Sequence, residues 1–268
     1  MATIQQTGII VDSITRNGKY EPFELQVARG LITYHSVVNV FGYQSALTAA
    51  VAPTTAPIAV WESNAAYVFP TTAQQMVLAS GSASDAGLTI TINGLDASYN
   101  ILSESITFTA GNYTGATTVN SYLRINSIIT TSDTTSPGTV NVGLITLKNI
   151  AGTVTYAQIA IGVGKSQMSI YTVPNNYSFN LNRANVFTSQ AYTVAGNSLY
   201  RVFSTNNNTG AALAVIQSPF VGNFSVLREY PFYYPPKTDI QWQVGTNVTS
   251  IAVGVNIEGV LVAVDGTL

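Results

Sequence analysis

Cysteine is missing from all 268 residues. The chain therefore has no disulfide and no thiolate metal ligand, and its fold gains nothing from an oxidising compartment. Charge is nearly as scarce: Asp, Glu, Lys and Arg make up 8% of the residues, against roughly 25% in an average soluble domain. The 10 Lys and Arg are scattered singly, so no basic stripe exists to neutralise phosphates, and nucleic acid is not an expected partner. A membrane is not expected either: no run reaches the roughly 18 apolar residues of a spanning helix, and the start "MATIQQTGIIVDSITRNGK" lacks the basic and apolar regions of an export signal. The expected place of synthesis is the cytoplasm.

Histidine occurs once, at His35. Any Ser-His-Asp site would have to form around it, yet no G-x-S-x-G elbow is present, and one His without Cys cannot supply the usual zinc ligands. The stretch "IGVGKS", residues 161–166, lacks the first glycine of a phosphate-binding loop, where Ile159 stands, and a strand-like pattern follows Ser166 in place of a helix. It reads as a turn with Lys165 at its tip. No cofactor and no metal are expected.

What the chain does contain is 46% hydrophobic residues among many Ser, Thr, Asn and Gly. That is enough for a sizeable core beneath a surface of hydroxyls and amides. A formal net charge of -2 leaves little repulsion against packing on copies of itself.

Helical periodicity is confined to "YEPFELQVARG", where Pro22, Glu24 and Gly30 give start and stop signals and predict one short helix near 22–29. The following residues, to about 60, mix apolar pieces with an Ala/Pro/Thr stretch and read as an extended arm or a long connection. From Tyr67 onward, short segments alternate with period two between Gly, Asn, Asp and Ser, as in "QQMVLAS", "LTITING", "SYLRINSIIT", "YSFNLNRANVF" and "DIQWQV". The expected fold is all-β: two antiparallel β-sandwich or jelly-roll-like units behind the arm. The divisions fall at 1–66 (arm), 67–150 (first unit) and 151–268 (second unit).

The hairpin "GLTITINGLDASYNILSESITF" puts Glu104 in register with Leu102 and Ile106. With Asp85, Asp96, Glu229, Asp239 or Glu258 it offers formal pairs for a glycosidase, but sugar-binding aromatics are not grouped around any of them. Glu104 is better read as structural: a rim residue, a partner of Arg124, or an inward charge that discourages edge pairing. Asp85 and Asp96 read as turn formers bonding their own backbone. In "REYPFYYPPKTDIQW", residues 228–242, the prolines exclude a central strand. Tyr230, Phe232, Tyr233 and Tyr234 then lie on a connection, either capping the core or meeting a partner. With Tyr20, Phe23, Phe41 and Tyr43 of the leading segment, they are the candidate partner contacts.

The ordered blocks "YEPFELQVARGLITYHSVVNVFGYQ", "PIAVWESNAAYVFP" and "SASDAGLTITINGLDASYNILSESITF", with "NSYLRINSI" and "PPKTDIQWQV" after them, span most of the chain. As a set they resemble structural proteins of tailed bacteriophages, notably those of cyanobacteria and marine bacteria. The resemblance implies a non-enzymatic virion component that decorates or cements the capsid or belongs to the tail. Its implied partners are the major capsid protein or other virion proteins, and copies of itself, for which a trimer is one expectation. A tail fibre or spike module binding host glycan is the alternative.

Overall fold

The computed structural model describes residues 22–47, 57–63, 65–133, 140–189, 198–247 and 250–264. Strands account for more than half of the described residues, against a single described α-helix of six residues, so the class is all-β. In chain order the elements are α1 (Phe23–Ala28), β1 (His35–Leu47), β2 (Ile58–Ala59), β3 (Met76–Ser80), β4 (Leu88–Leu95), β5 (Ile101–Thr107), β6 (Ala116–Thr117), β7 (Arg124–Asp133), β8 (Ile145–Asn149) and β9 (Thr155–Ile159). There follow β10 (Ile170–Thr172), β11 (Tyr177–Thr188), β12 (Ser198–Asn206), β13 (Ala212–Phe220), β14 (Phe224–Tyr234), β15 (Thr238–Thr246) and β16 (Ile251–Ala263). The helix forms where its signals place it: Pro22 precedes it, Glu24 lies in its first turn, and Gly30, at φ 69°, lets the chain leave it.

Four small antiparallel sheets result. Their strand orders are β1-β16-β11-β14, β10-β15-β12-β13, β6-β3-β8-β9 and β5-β4-β7. Strand β2 pairs with β15 at Gln243 and Val244, beyond the stretch where β10 pairs with it. The first two sheets share one hydrophobic core, which holds Val40, Phe179, Leu181, Tyr200, Val202, Trp242, Val253, Val255 and Ile257. The other two share a second core around Met76, Leu78, Ile90, Ile92, Tyr122, Ile128, Leu147 and Ile159. In β4 the burial alternates over residues 88–93, with Leu88, Ile90 and Ile92 inside and Thr89, Thr91 and Asn93 toward the other face, before Gly94 and Leu95 are both buried. This is the period-two pattern visible in the sequence.

The expected arm is the main correction. Residues 35–47 form β1, paired along its length with β16 from His35–Val262 to Leu47–Ile251. Val40 and Leu47 lie in the first core. The alternation is hidden in the sequence because β1 is apolar on both faces: Val38 and Val40 turn toward the core, while Val37, Phe41 and Tyr43 do not. Strand β9 lies beyond residue 150, yet it pairs with β8 and contributes Tyr156, Ala157 and Ile159 to the second core.

The chain passes from one core to the other and returns through one narrow place. The Ser169 N–H donates to the Val60 carbonyl at 2.8 Å, the Val60 N–H to Ser169 Oγ at 2.9 Å, and Trp61 bridges to Met168. Residues 61–168 thus leave and rejoin at adjacent points.

Candidate functional site

The most elaborate polar constellation lies where the two cores meet. Arg124 opens β7 opposite Leu95 of β4, and Asp239 stands near the start of β15 opposite Thr172 of β10. The strand ends bring them together. Arg124 Nε donates to Asp239 Oδ1 and a terminal guanidinium nitrogen to Oδ2, each at 2.8 Å. The other terminal nitrogen donates to the carbonyls of Pro70 (2.9 Å) and Leu123 (2.8 Å). Asp239 also accepts from the Thr172 hydroxyl at 2.7 Å and the Asn207 amide at 2.9 Å. The guanidinium sits 4.8 Å from the centre of the Phe69 ring and 5.4 Å from that of Tyr99.

Both ions are almost fully buried, at 7% and 5% side-chain exposure. Burial alone would lower the Arg124 pKa, but the hydrogen bonds and charge of Asp239 outweigh it and hold the group above its ordinary value. The backbone is strained around the pair: Tyr99, Asn176 and Lys237 have φ of 66°, 62° and 60°. The Tyr99 carbonyl accepts the Asn175 N–H at 2.7 Å. Chemically this is a clamp, with the donors and acceptors spent on one another, on backbone carbonyls and on the side chains of Thr172, Asn207 and Tyr99.

The carboxylates raised by the sequence reading do not converge. Glu104 partners backbone, not Arg124: its two oxygens accept the Val119 N–H at 2.7 Å and the Asn120 N–H at 3.0 Å. Asp96 forms the expected turn, accepting from the N–H groups of Ser98 and Asn100. Asp85 does not bond its own turn; it is buried and accepts from the Ser80 hydroxyl and from the N–H groups of Val142 and Gly143. Its side chain is therefore a brace between two segments nearly sixty residues apart. Glu258 faces Arg183 at 3.6 Å on an open surface. The side chains of Glu229 and Tyr230 lie outside the described residues, as does all of Tyr20.

His35 bonds the Thr33 carbonyl through Nδ1 at 2.7 Å and meets the edge of the Phe23 ring. Lys165 is exposed beside a turn in which Gly162 and Gly164 have φ of 74° and 77°. Sequence reasoning missed Glu62. Burial pushes its carboxyl from the usual 4.5 up to about 7, against backbone hydrogen bonds from Gln167 and Ala160. Oε2 has no partner among the described residues. Its neighbours "VWESN" give no local signal, because burial arises from residues about a hundred positions away.

The candidate contact aromatics divide. Residues 224–234 form β14, a strand and not a connection, but at the outer edge of its sheet, where Pro231 costs no ladder bond. Tyr234 turns inward and stacks on Phe179, Phe232 is half-buried, and Tyr233 is 57% exposed. Phe41 stacks with Phe187, Tyr43 is half-buried, and Phe23 is 43% exposed. Between α1 and the outer face of the β1 sheet runs a groove of about 420 Å³ lined by Glu24, Val37, Asn182, Arg183, Leu227 and Glu258 among others. Leu227, at 70% exposure, is its most open apolar side chain.

No family model and no curated protein matches the chain. Among solved structures it is similar to that of infectious bursal disease virus, Gt strain, at 12% identity and a TM-score of 0.23 over 91% of this chain and 78% of that one. It is also similar to a mutant VP2 protein of the same virus in T=1 particles, at 10% identity and a TM-score of 0.15 over 90% and 82% of the two chains. Likeness at this level carries no argument about this chain.

Proposed function

We propose that this chain is a structural protein of a tailed-bacteriophage virion, made in the host cytoplasm and attached to the capsid as a decoration or cement protein. The observation that carries the reading is strand order. Numbering β1 and β10–β16 from one to eight, the two sheets around the first core run 1-8-3-6 and 2-7-4-5. We read two sheets interleaved in this way, over one shared core, as a jelly-roll sandwich, an architecture of viral capsid and lectin domains. Residues 61–168 then form a second β-sandwich inserted between its first two strands. Fold alone does not assign function; the sequence resemblance to phage structural proteins supplies the particle class.

The function is mechanical. The Arg124–Asp239 clamp holds the inserted unit at a set angle to the jelly roll, and the exposed apolar side chains around α1 and β14 supply surface for neighbouring virion proteins and copies of the chain. Burying apolar surface there stabilises the shell by roughly 25 cal/mol per Å². No catalysis, cofactor, nucleic acid or membrane enters this reading. A tail-fibre or spike role in glycan recognition is the second reading, favoured by exposed Tyr233 and by the use of the same strand order in lectins. Quantitative mass spectrometry of purified particles separates them: a copy number in the hundreds supports the shell, a number near that of the tail fibres supports the second reading, and absence refutes both.

A further inference from the structure

The four sheets end in eight outer strands, and among the described residues seven of these carry features that oppose the addition of another strand. Strand β1 loses register between Gln44 and Leu47. β14 contains Pro231 and a register break opposite Leu181–Arg183. β13 contains Pro219 and a break of its own. β10 and β6 are three and two residues long. β9 breaks register against β8. β7 has two breaks, and the Thr130–Gly164 and Ser166–Ile128 backbone bonds cover its outer side.

Strand β5 has none of these devices; its one edge-protecting feature is the inward charge of Glu104, opposite Ile92. It runs seven residues in unbroken register with β4, from Thr107–Thr89 to Ile101–Leu95, without Pro, Gly or Lys. Among the described residues, no backbone hydrogen bond reaches its outer side. Its outward hydroxyls are already partnered: Thr107 with Thr89 at 2.8 Å, Ser105 with Thr91 at 2.8 Å, and Ser103 donating to Asn93 at 3.1 Å. Burying them therefore leaves no polar group unsatisfied. The one charge, Glu104, is held by the Val119 and Asn120 N–H groups. Beside it Val119 is 82% exposed.

We propose that β5 is a strand-addition surface for a second copy of this chain, the two β5 strands pairing antiparallel about a two-fold axis into one six-stranded sheet. The strand's own residues satisfy such pairing. An axis through Glu104 would set that carboxylate against itself, which is unfavourable. An axis through Ser105 places Ser103 opposite Thr107, continuing the hydroxyl ladder, and Glu104 opposite Ile106. The near-neutral chain, with formal charge -2, adds little repulsion. A seven-residue strand is about 24 Å long, and across two sheets the edge is about 20 Å deep; the two copies together would bury on the order of 1,000 Å², the lower end for a specific contact. The dimer is accordingly concentration-dependent. This inference stands on the strand edge and is independent of the virion reading.

The absence of cysteine makes the test direct. Under oxidising conditions Ser105→Cys should cross-link into a covalent dimer, whereas Thr131→Cys, on the same face but on β7, should not. By light scattering at about 100 µM, Ser105→Lys should halve the wild-type mass, while Leu213→Lys, at an exposed position on the outer strand β13, should leave it unchanged; a thermal melt checks that both variants fold. A wild type of single-chain mass, an unchanged mass for Ser105→Lys, or no cross-link at position 105 would overturn the proposal.

Discussion

Arg124 and Asp239 come from strands 115 positions apart and from different hydrophobic cores, yet they meet through two parallel nitrogen–oxygen contacts of 2.8 Å with both side chains nearly excluded from solvent. A fork-to-carboxylate pair of this kind fixes orientation as well as distance.

Removing either partner strands the other as a buried charge. Arg124→Ala or Asp239→Ala should each cost about 3–5 kcal/mol, and the double change to Met and Leu should cost less than either alone. Chemical denaturation measures this. Equal or additive losses would mean that the pair does not act as a unit.

Glu62 predicts a pH dependence of defined sign. Its folded pKa, about 7, lies above the ordinary 4.5, so the folded state holds the proton more tightly. Its contribution is fully present below pH 4.5 and is lost as pH rises to about 7. Each factor of ten in proton affinity is about 1.4 kcal/mol, so the full loss is about 3–4 kcal/mol, of which about 2–3 kcal/mol falls between pH 5 and pH 8. Urea unfolding between pH 5 and pH 8 should show that slope in the wild type, less the background, and no such difference in Glu62→Gln.

Gly42 of β1 faces the strand crossing. A Cβ there would overlap the Val60 carbonyl and lie 2.6 Å from the Ser169 backbone nitrogen. Gly42→Ala should destabilise by about 1–3 kcal/mol through overpacking. Deleting residues 1–60 should unfold the two sheets around the first core and not merely abolish association, because it removes β1 and β2. A truncated chain with the wild-type melt would contradict the placement of β1.

Because Val60 and Ser169 are hydrogen-bonded neighbours, residues 61–168 should be excisable and the gap closed by two or three glycines. With Asp239→Asn added to avoid an orphaned charge, both the shortened chain and the excised fragment should give cooperative melts. Failure of both would show that the two cores fold only together.

The legible parts of the fold were those with one wet face. Strand β4 announces itself through Thr89, Thr91 and Asn93 between Leu88, Ile90 and Ile92, and α1 through Pro22 and Gly30. Strand β1 was not legible, because Phe41 and Tyr43 make its outer face as apolar as its inner one. Nor were Glu62 and the Arg124–Asp239 pair, since no local pattern marks a contact made 115 positions away. Asp85 looked like a turn former because its neighbours are Ser and Gly; its burial against Val142 and Gly143 is a property of the tertiary fold. The sequence marks Tyr233 and Tyr234 alike, and strand alternation alone sends one to solvent and the other to the core.

The most direct measurement is a cryo-EM map of the intact virion. A capsid decoration protein gives density for an all-β molecule with two hydrophobic cores at many symmetry-related positions on the shell, its α1 side against neighbouring shell proteins. A map that places the chain only at the tail tip, or purified particles that lack it, would contradict a decoration role on the capsid.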